Sequence, residues 1–261
     1  MSHTFISGAT GGIGKAFVIE CAKKGDKLFL TGRSQDKLDA LKKQIIEEYS
    51  VEVDCFACDL TSENERDALV LYAEQKGYKF KRIINVAGVD IQKAFMEYTQ
   101  EKVLFQTRVN AEATICLTHA LLKNRAEKCE VITISSMSGA TPMPYFALYS
   151  ATKAMLTNFF TGLHYELKKE GVNVTVVMPG GVPTRPDLVE EIKSQGLWGK
   201  LSSKPASFVA KKSLKAVRKN KVKYIPGAFN KILYYFMKII PRCIVLRFIA
   251  RRWKKHCKDA F

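Results

Sequence analysis

The feature that most constrains this chain is the alternation of short apolar runs with longer stretches of helical periodicity. Seven runs have the length and apolar content of buried β-strands, and helical patterns separate most of them. The predicted strands are HTFISG, KLFLTG, VEVDCFACDL, RIINVAG, EVITISS, VNVTVVMPG and KVKYIPG. Because strand–helix–strand repeats form right-handed parallel units, we predict an α/β fold with a single doubly wound parallel sheet and helices on both faces.

A glycine-rich turn, SGATGGIG, joins the first predicted strand to the first predicted helix. We expect Gly8 to permit the tight turn, Gly12 to let the backbone approach a pyrophosphate, and Gly14 to let the helix pack on the sheet. The N–H groups at the start of that helix would then face the phosphates. This context predicts a nucleotide-binding domain of the Rossmann type.

The end of the second predicted strand favours NADP(H) over NAD(H). NAD-binding sheets usually carry an acidic residue there, which holds the ribose 2′-hydroxyl. This chain reads LFLTGRS, with no carboxylate and with Arg33 followed by Ser34. A guanidinium here would pair with a 2′-phosphate through charge-assisted hydrogen bonds. A solvated surface arginine is the alternative, and Ser34 also fits the N-cap of the next helix.

Tyr149 and Lys153 lie four residues apart in YSATK, so they share one face of a predicted helix. A free tyrosine has a pKa of about 10 and is a poor acid–base group near neutral pH. A neighbouring ammonium group would stabilise the phenolate and lower that pKa. Most Tyr-x-x-x-Lys pairs are only surface residues, so the other motifs must decide between the two interpretations.

Taken in order, these motifs resemble the short-chain dehydrogenase/reductase family over roughly residues 3–227. SGATGGIG is similar to the family's T-G-x-x-x-G-x-G, with Ser7 in place of threonine. NVAG is similar to N-N-A-G, with Val86 in place of the second asparagine, a change expected to remove one structural hydrogen bond. The resemblance implies hydride transfer between the nicotinamide of NADP(H) and a carbonyl or secondary alcohol.

The resemblance also implies a role for each member of a catalytic set. Tyr149 would be the general acid–base, and Ser136 would hold the carbonyl oxygen as an oxyanion-type donor. Lys153 would bond the nicotinamide ribose, and Asn110 would hold a water that links Lys153 to solvent. Structural roles for Ser136 and Asn110 are the alternatives. The implied cofactor contacts are Ser7, Gly8, Thr10, Gly12, Ile13, Gly14, Arg33, Ser34, Asp59, Leu60, Asn85, Ala87, Gly88, Tyr149, Lys153, Pro179, Gly180, Val182 and Thr184.

Three segments expected at the substrate side are rich in large apolar residues, which favours a bulky apolar substrate such as a sterol, fatty-acyl or aromatic ketone. Core packing is the alternative for about half of these side chains. Residues 185–200, in which Gly196 and Gly199 flank Trp198, are predicted to form a mobile lid. The candidate lining residues are Ile91, Phe95, Met96, Met137, Met143, Tyr145, Phe146, Leu188, Ile192, Leu197 and Trp198.

The charge balance points to an anionic partner. Lys and Arg outnumber Asp and Glu by 42 to 25, a formal net charge of +17. A phosphate-bearing cofactor or a membrane surface fits this excess, whereas no basic motif interleaved with aromatic residues supports a nucleic acid. The seven cysteines and four histidines show no metal-site or hydrolase spacing, so we predict no metal and a cytoplasmic protein with reduced thiols.

Residues 229–261 lie outside the resemblance, and we assign them to a basic amphipathic extension of a catalytic domain formed by residues 1–228. Pro241 divides this tail into two predicted helices. Peripheral contact with an anionic membrane face and packing on the domain or a partner subunit are equally weighted interpretations. The predicted basic stripe is Arg247, Arg251, Lys254 and Lys258, and the opposite apolar face is Val245, Leu246, Ile249, Ala250 and Trp253.

Two further expectations concern activity and assembly. A catalytically silent NADP(H)-binding regulatory protein could share this fold, since a fold alone does not establish turnover. The intact set of Ser136, Tyr149 and Lys153 argues against that alternative, because a sensor has no need of an acid. We also expect a homodimer or homo-oligomer, a small-molecule carbonyl or alcohol substrate, and no transmembrane span.

Overall fold

One parallel sheet of seven strands organises the computed structural model, which describes residues 2–254. The sheet order is β3-β2-β1-β4-β5-β6-β7. The strands are β1 (Ser2–Ser7), β2 (Lys27–Gly32), β3 (Val53–Ala57), β4 (Lys79–Asn85), β5 (Arg125–Ile134), β6 (Val172–Val177) and β7 (Lys223–Tyr224). Each of the seven predicted strands is present and every pairing is parallel, which confirms the doubly wound sheet. The strand order reverses between β1 and β4, where such sheets form a ligand crevice.

Helices cover both faces of this sheet. On one face, α1, α2 and α9 pack in one core cluster, and on the other α3, α5 and α6 pack in a second. The described α-helices are α1 (Gly12–Ala22), α2 (Gln35–Tyr49), α3 (Glu63–Gln75), α4 (Gln100–Thr107), α5 (Ala113–Lys123), α6 (Ala147–Leu167), α7 (Pro186–Ser194), α8 (Gly196–Ser202), α9 (Ala206–Arg218), α10 (Ala228–Ile239) and α11 (Arg242–Trp253). Burial on both faces explains why the strands read as continuous apolar runs rather than as alternating ones.

Local capping sets where α2 and α3 begin. The Ser34 side chain accepts a hydrogen bond from the backbone N–H of Lys37 at 3.4 Å, which confirms the predicted N-cap. Ser62 caps α3 in the same way through the N–H of Glu65. Because α2 begins immediately after its cap, Arg33 lies in the short turn between β2 and α2.

A π-helical turn, Arg108–Glu112, joins α4 to α5. Such turns insert an additional residue into a helix and are frequent at functional sites. Asn110 lies in the middle of this turn and is fully buried. The Asn110 side chain therefore lies in the interior of the protein.

The tail forms two helices separated at Pro241, as predicted. Val245 and Ile249 of α11 are buried against Met143 and Phe146, so one face of the tail packs on the domain. Lys258 of the predicted basic stripe lies outside the described residues, and the division at residue 228 stays a prediction. Within residues 2–254, no helix combines the length and apolar character needed to cross a membrane.

Candidate active site

A cavity of about 690 Å³ lies at the carboxyl ends of β4, β5 and β6. The loops that follow these strands form one wall, and α8, α10 and α11 contribute to the other. Nine of the predicted site residues line it: Ile13, Gly88, Ser136, Tyr149, Lys153, Pro179, Gly180, Val182 and Thr184. The sheet therefore brings together residues from widely separated parts of the chain at the edge where α/β sheets bind ligands.

The glycine-rich turn is closely packed at three of its glycines. Gly8 has a φ of +64°, a conformation that favours glycine. A Cβ at Gly14 would lie 2.0 Å from the carbonyl oxygen of Gly8, so α1 can only start this close to the turn without a side chain. A Cβ at Gly12 would lie 2.5 Å from Thr184, which places the predicted nicotinamide-side threonine at the start of α1. Ser7 retains the hydroxyl function, since its Oγ accepts the N–H groups of Val86 and Ala87 at 3.2 and 3.4 Å.

The start of α1 suits a phosphate group. Its N-cap, Gly11, makes no side-chain capping bond, and the first turn contains no acidic residue. The first N–H groups of a helix have no partner within that helix and carry a partial positive charge. An anion at this position can therefore accept hydrogen bonds from these backbone N–H groups, because no capping side chain occupies them.

The ends of β2 and β3 lie further along the same edge. Arg33 is exposed, with its guanidinium carbon 6.0 Å from the centre of the Phe105 ring. It forms no ion pair with any residue in the described part of the chain. Asp59 follows β3, and its Oδ1 accepts both the N–H and the hydroxyl of Thr61 at 2.9 Å. The guanidinium therefore keeps its charge uncompensated, while Asp59 has a local structural role.

Asn85 lies outside the cavity lining, and its contact with the cofactor stays a prediction. Its side chain is buried at the end of β4, where Nδ2 donates to Thr118 and Thr133 at 2.8 and 3.1 Å. Leu60 is also buried, in the second core cluster. Successive side chains along a strand point to opposite faces of the sheet, and that of Asn85 points into the interior. Its hydrogen bonds connect the end of β4 to α5 and β5.

Three of the four predicted catalytic side chains, Ser136, Tyr149 and Lys153, come together at the cavity wall. Tyr149 and Lys153 lie one turn apart on α6, and the Lys153 Nζ is 5.6 Å from the centre of the Tyr149 ring. Ser136, just after β5, lies beside the phenol of Tyr149. The Lys153 Nζ donates to the carbonyl oxygen of Ile134 at 3.0 Å, which fixes the ammonium group beside the same strand.

Burial dominates the electrostatics of this pair. Burial raises the pKa of Tyr149 above its ordinary value, and the nearby carboxylate of Asp90 raises it further, whereas the neighbouring Ser136 hydroxyl opposes the rise. Burial lowers the pKa of Lys153 to about 8. The expectation that Lys153 lowers the pKa of Tyr149 is not met here, because desolvation opposes the charged form of both groups. Near neutral pH, Tyr149 is therefore a protonated donor.

Asn110 holds the loop after β4 in place. Its Oδ1 accepts the N–H of Val89 at 2.7 Å, and its Nδ2 donates to the carbonyl oxygen of Val89 at 2.8 Å and to Thr152 at 3.2 Å. A Cβ built on Gly88 would lie 3.2 Å from both Asn110 Oδ1 and Lys153 Nζ. The amide is thus engaged on both atoms and holds Val89 and Thr152 in position, and the role of Asn110 at a water stays a prediction.

Sequence reasoning missed an ion pair across the cavity. Arg185 donates through Nη1 to Asp90 Oδ1 at 3.2 Å and pairs with Asp187 through Nε and Nη2. Burial raises the pKa of Asp90, an effect that Arg185 opposes. The partners lie in the loops after β4 and β6, so the pair joins two walls of the cavity. No local pattern could have signalled it, because the partners are 95 residues apart.

The substrate side is partly as predicted. Of the candidate apolar residues, the cavity is lined by Met137, Met143, Phe146, Leu188, Ile192 and Trp198. The others are absent from its wall: Ile91 is in the core, Phe95, Met96 and Leu197 are exposed, and Tyr145 lies outside the lining. The tail supplies further lining residues, of which Val245, Ile249 and Trp253 belong to its predicted apolar face: Leu233, Phe236, Met237, Ile240, Ile244, Val245, Phe248, Ile249, Arg252 and Trp253.

An aromatic stack connects the tail to the catalytic tyrosine. The Phe146 ring lies 4.3 Å from that of Tyr149 and 5.8 Å from that of Trp253, with interplanar angles of 13° and 25°. Asn230 of α10 connects the tail to the last residue of α8, because its Nδ2 donates to the carbonyl oxygen of Ser202 at 2.8 Å. The packing interpretation of the tail therefore holds for its buried face, which closes the cavity.

Comparison with known proteins agrees with this architecture. A family model described as short chain dehydrogenase matches residues 2–195. A very-long-chain 3-oxoacyl-CoA reductase from Bos taurus is 35% identical over 223 residues, which cover 81% of this chain and 67% of that protein. An inactive hydroxysteroid dehydrogenase-like protein 1 from Homo sapiens is 34% identical over 188 residues, which cover 69% of this chain and 55% of that protein.

Solved structures extend the likeness over nearly the whole chain. The structure reported in a study of 7beta-hydroxysteroid dehydrogenase stereoselectivity has a TM-score of 0.86 at 24% identity and covers 95% of this chain and 96% of that chain. A short-chain dehydrogenase from Sphingobium yanoikuyae in complex with NADPH has a TM-score of 0.75 at 24% identity, covering 93% and 97%. At these identities the structures establish the fold. With the family model and the bovine relative, they show that the chain belongs to the short-chain dehydrogenase family of oxidoreductases.

Proposed function

We propose that this chain is an NADP(H)-dependent reductase of bulky apolar ketones, or the matching alcohol dehydrogenase. The observation that carries the proposal is the meeting of Ser136, Tyr149 and Lys153 at the wall of a large apolar cavity. A protonated phenol beside a hydroxyl donor can stabilise and protonate an oxygen on which negative charge develops.

The residues at the nucleotide edge fit NADP(H). When bound, this cofactor supplies or accepts the hydride at its nicotinamide. The uncapped start of α1 would hold its pyrophosphate, and exposed Arg33 would hold its 2′-phosphate. The solved relative from Sphingobium yanoikuyae binds NADPH, which supports the same assignment.

Three side chains of the chain carry the proton chemistry. Ser136 would hydrogen-bond the substrate oxygen, and Tyr149 would deliver its proton to that oxygen. Lys153, buried beside Tyr149, would bond the ribose and hold positive charge near the phenol as the proton leaves. Asn110 would act as a positioning residue, since it fixes the loop that carries Gly88 next to Lys153.

The cavity supports a large apolar substrate. Methionine, phenylalanine, leucine, isoleucine and tryptophan side chains dominate its wall, and its volume suits a sterol or fatty-acyl skeleton. The bovine relative is named for 3-oxoacyl-CoA, and the study of the most structurally similar neighbour reported above concerns a hydroxysteroid dehydrogenase. Both names describe ketones or alcohols on bulky apolar frameworks.

A panel of carbonyl and alcohol compounds tests the proposal. Sterol ketones, 3-oxoacyl thioesters and aromatic ketones would be supplied with NADPH, and the matching alcohols with NADP. We expect absorbance changes at the nicotinamide wavelength for at least one bulky class and none for short polar ketones. Absence of turnover across the panel would favour the regulatory alternative, which the inactive human relative keeps open.

Arg33→Ala should separate the two nicotinamide cofactors. We expect a loss of NADPH affinity of roughly ten- to a hundredfold with little change for NADH, since only NADPH offers a 2′-phosphate to a charge-assisted bond. Fluorescence titration with each cofactor measures the effect. Lys43→Ala is the control, because it removes one exposed positive charge from α2 away from the turn. Equal losses for both cofactors would show that Arg33 does not bind the 2′-phosphate.

The exposed face of the tail supports peripheral contact with an anionic membrane. Besides its buried face, the tail exposes an outer apolar face in which Ile239 is 81% exposed. Patches of this kind mark interaction surfaces. Residues 192–258 contain 19 Lys and Arg and no Asp or Glu, so the surroundings are strongly basic. The outer apolar face is formed by Ile232, Tyr235 and Ile239, which are exposed and do not line the cavity.

Vesicle binding tests this contact. The protein should sediment with vesicles rich in phosphatidylserine at low salt and be released as salt rises, because surface electrostatics are screened. Ile239→Glu should weaken the binding, whereas Leu71→Glu, an exposed leucine on α3, should not. If the protein ignores anionic vesicles at low salt, the membrane contact is refuted, and light scattering then tests whether the outer face covers a second copy.

A further inference from the structure

Arg252 of α11 is a cationic residue at the wall of the apolar cavity. Its side chain is half-buried, and its Nη2 donates to Gln195 Oε1 at 3.3 Å. Its guanidinium carbon lies 5.5 Å from the centre of the Trp198 ring. Both partners are uncharged, and Arg252 makes no ion pair with any residue from 2 to 254.

A second arginine at the same cavity, Arg185, differs from Arg252 because acidic residues compensate its charge. Arg185 is held by Asp90 and by both carboxylate oxygens of Asp187, so its charge is compensated within the protein. Arg252 has no such carboxylate. A partly desolvated guanidinium without a counter-charge is unfavourable by itself and gains strongly from an anionic partner.

The surroundings of Arg252 cannot supply that partner. On the neighbouring α7, Asp187 is paired with Arg185 and Glu190 is exposed, and neither forms an ion pair with Arg252. The elements packed around Arg252, α8, α10 and α11, carry lysines and arginines but no acidic residue. Their titratable basic groups are Lys200, Lys231, Lys238, Arg242, Arg247, Arg251 and Lys254. This end of the cavity is therefore positive, which favours a ligand with a negative charge.

The cation and the catalytic phenol occupy different walls. Tyr149 contacts Ser136 after β5 and Phe146 before α6. Arg252 instead contacts Gln195 and Trp198, at the lid. An elongated molecule could place its carbonyl group at Tyr149 and its other end at Arg252, with apolar side chains between them.

We infer that Arg252 binds an anionic group at the end of the substrate remote from the reacting carbonyl. The substrate class is then an apolar ketone that carries a carboxylate or a phosphate-bearing thioester. This inference rests on the proposed reductase function and narrows its substrate. Arg252 acts as a specificity-determining residue, and the carbonyl chemistry remains with Tyr149 and Ser136.

Arg252→Gln tests the inference with matched pairs of ketones. One pair is a ketosteroid with a side-chain carboxylate and its methyl ester; the other is a 3-oxoacyl-CoA and its neutral N-acetylcysteamine thioester. We expect the KM of the charged members to rise roughly ten- to a hundredfold, as for loss of a charged hydrogen bond. The KM of the neutral members should change by less than about twofold, and kcat should be kept. The pair that responds distinguishes a carboxylate from a phosphate source.

Arg251→Gln is the control, since it removes an exposed neighbouring charge of α11 that does not line the cavity. Equal rises in KM for charged and neutral members of both pairs would overturn the inference. Arg252 would then have only a structural role, as a contact between the tail and the lid. Unchanged KM values would overturn it as well. Calorimetry measures the binding of the ketosteroid acid and its ester without turnover. If the protein is inactive on the whole panel but binds the acid more tightly than the ester, and Arg252→Gln removes that preference, the inference is upheld and the reductase function is refuted.

Discussion

Tyr149→Phe should lower kcat for ketone reduction by roughly 10²–10⁴-fold, the contribution usual for general acid–base catalysis. The substitution removes the proton donor but keeps the ring, which stacks on Phe146 at 4.3 Å. Cofactor affinity should therefore change little. Steady-state NADPH oxidation gives kcat, and fluorescence titration gives the affinity for NADPH.

Tyr145→Phe is the matched control for this experiment. Tyr145 is four residues away, and its side chain does not line the cavity. Removal of its hydroxyl should leave kcat within about twofold of the wild type, because no proton transfer depends on it. Wild-type turnover by the Tyr149→Phe protein would mean that another group supplies the proton, and the assignment of Tyr149 would be wrong.

Lys153→Met should abolish most turnover and weaken NADPH binding, yet stabilise the folded protein at pH 7. Lys153 is 3% exposed, and burial lowers its pKa from 10.5 to about 8. At pH 7 its ammonium group therefore costs the native state on the order of 3 kcal/mol, at about 1.4 kcal/mol per pKa unit. The lost hydrogen bond to Ile134 offsets about 1 kcal/mol of the gain.

The pH dependence of this stability difference has a definite sign. The unfolded state binds the lysine proton more tightly than the native state, so the wild type is penalised in full below about pH 8. The penalty disappears as the pH rises from about 8 to 10.5. The difference in unfolding free energy between Lys153→Met and wild type, from urea denaturation at pH 7 and pH 10, should therefore shrink. A variant that is less stable than wild type at pH 7 would contradict the burial argument.

The parts of the fold that the sequence predicted correctly depend on local rules. The turn at Gly8 requires a positive φ, and close packing at Gly14 excludes a side chain, so both glycines are recognisable without tertiary information. Ser34 caps α2 through a hydrogen bond to a residue three positions away. The four-residue spacing of Tyr149 and Lys153 likewise requires only a helix.

The parts that sequence reasoning missed depend on contacts between distant segments. Asp90 and Arg185 meet only because the loops after β4 and β6 share one edge of the sheet. Phe95 and Met96 are apolar yet 59% and 91% exposed, because apolar character alone does not decide which side chains line a cavity. Even the pKa of Tyr149 departs from the expected direction, since burial depends on the surrounding tertiary packing.

The position of the tryptophans gives this protein a built-in optical probe. The chain contains two tryptophans, Trp198 and Trp253, and both line the cavity, one from the lid and one from the tail. Trp253 stacks on Phe146, which in turn stacks on Tyr149. Any change in indole emission therefore originates at the cavity wall. Opening of the tail and arrival of a ligand should be visible in the intrinsic fluorescence of the unlabelled chain.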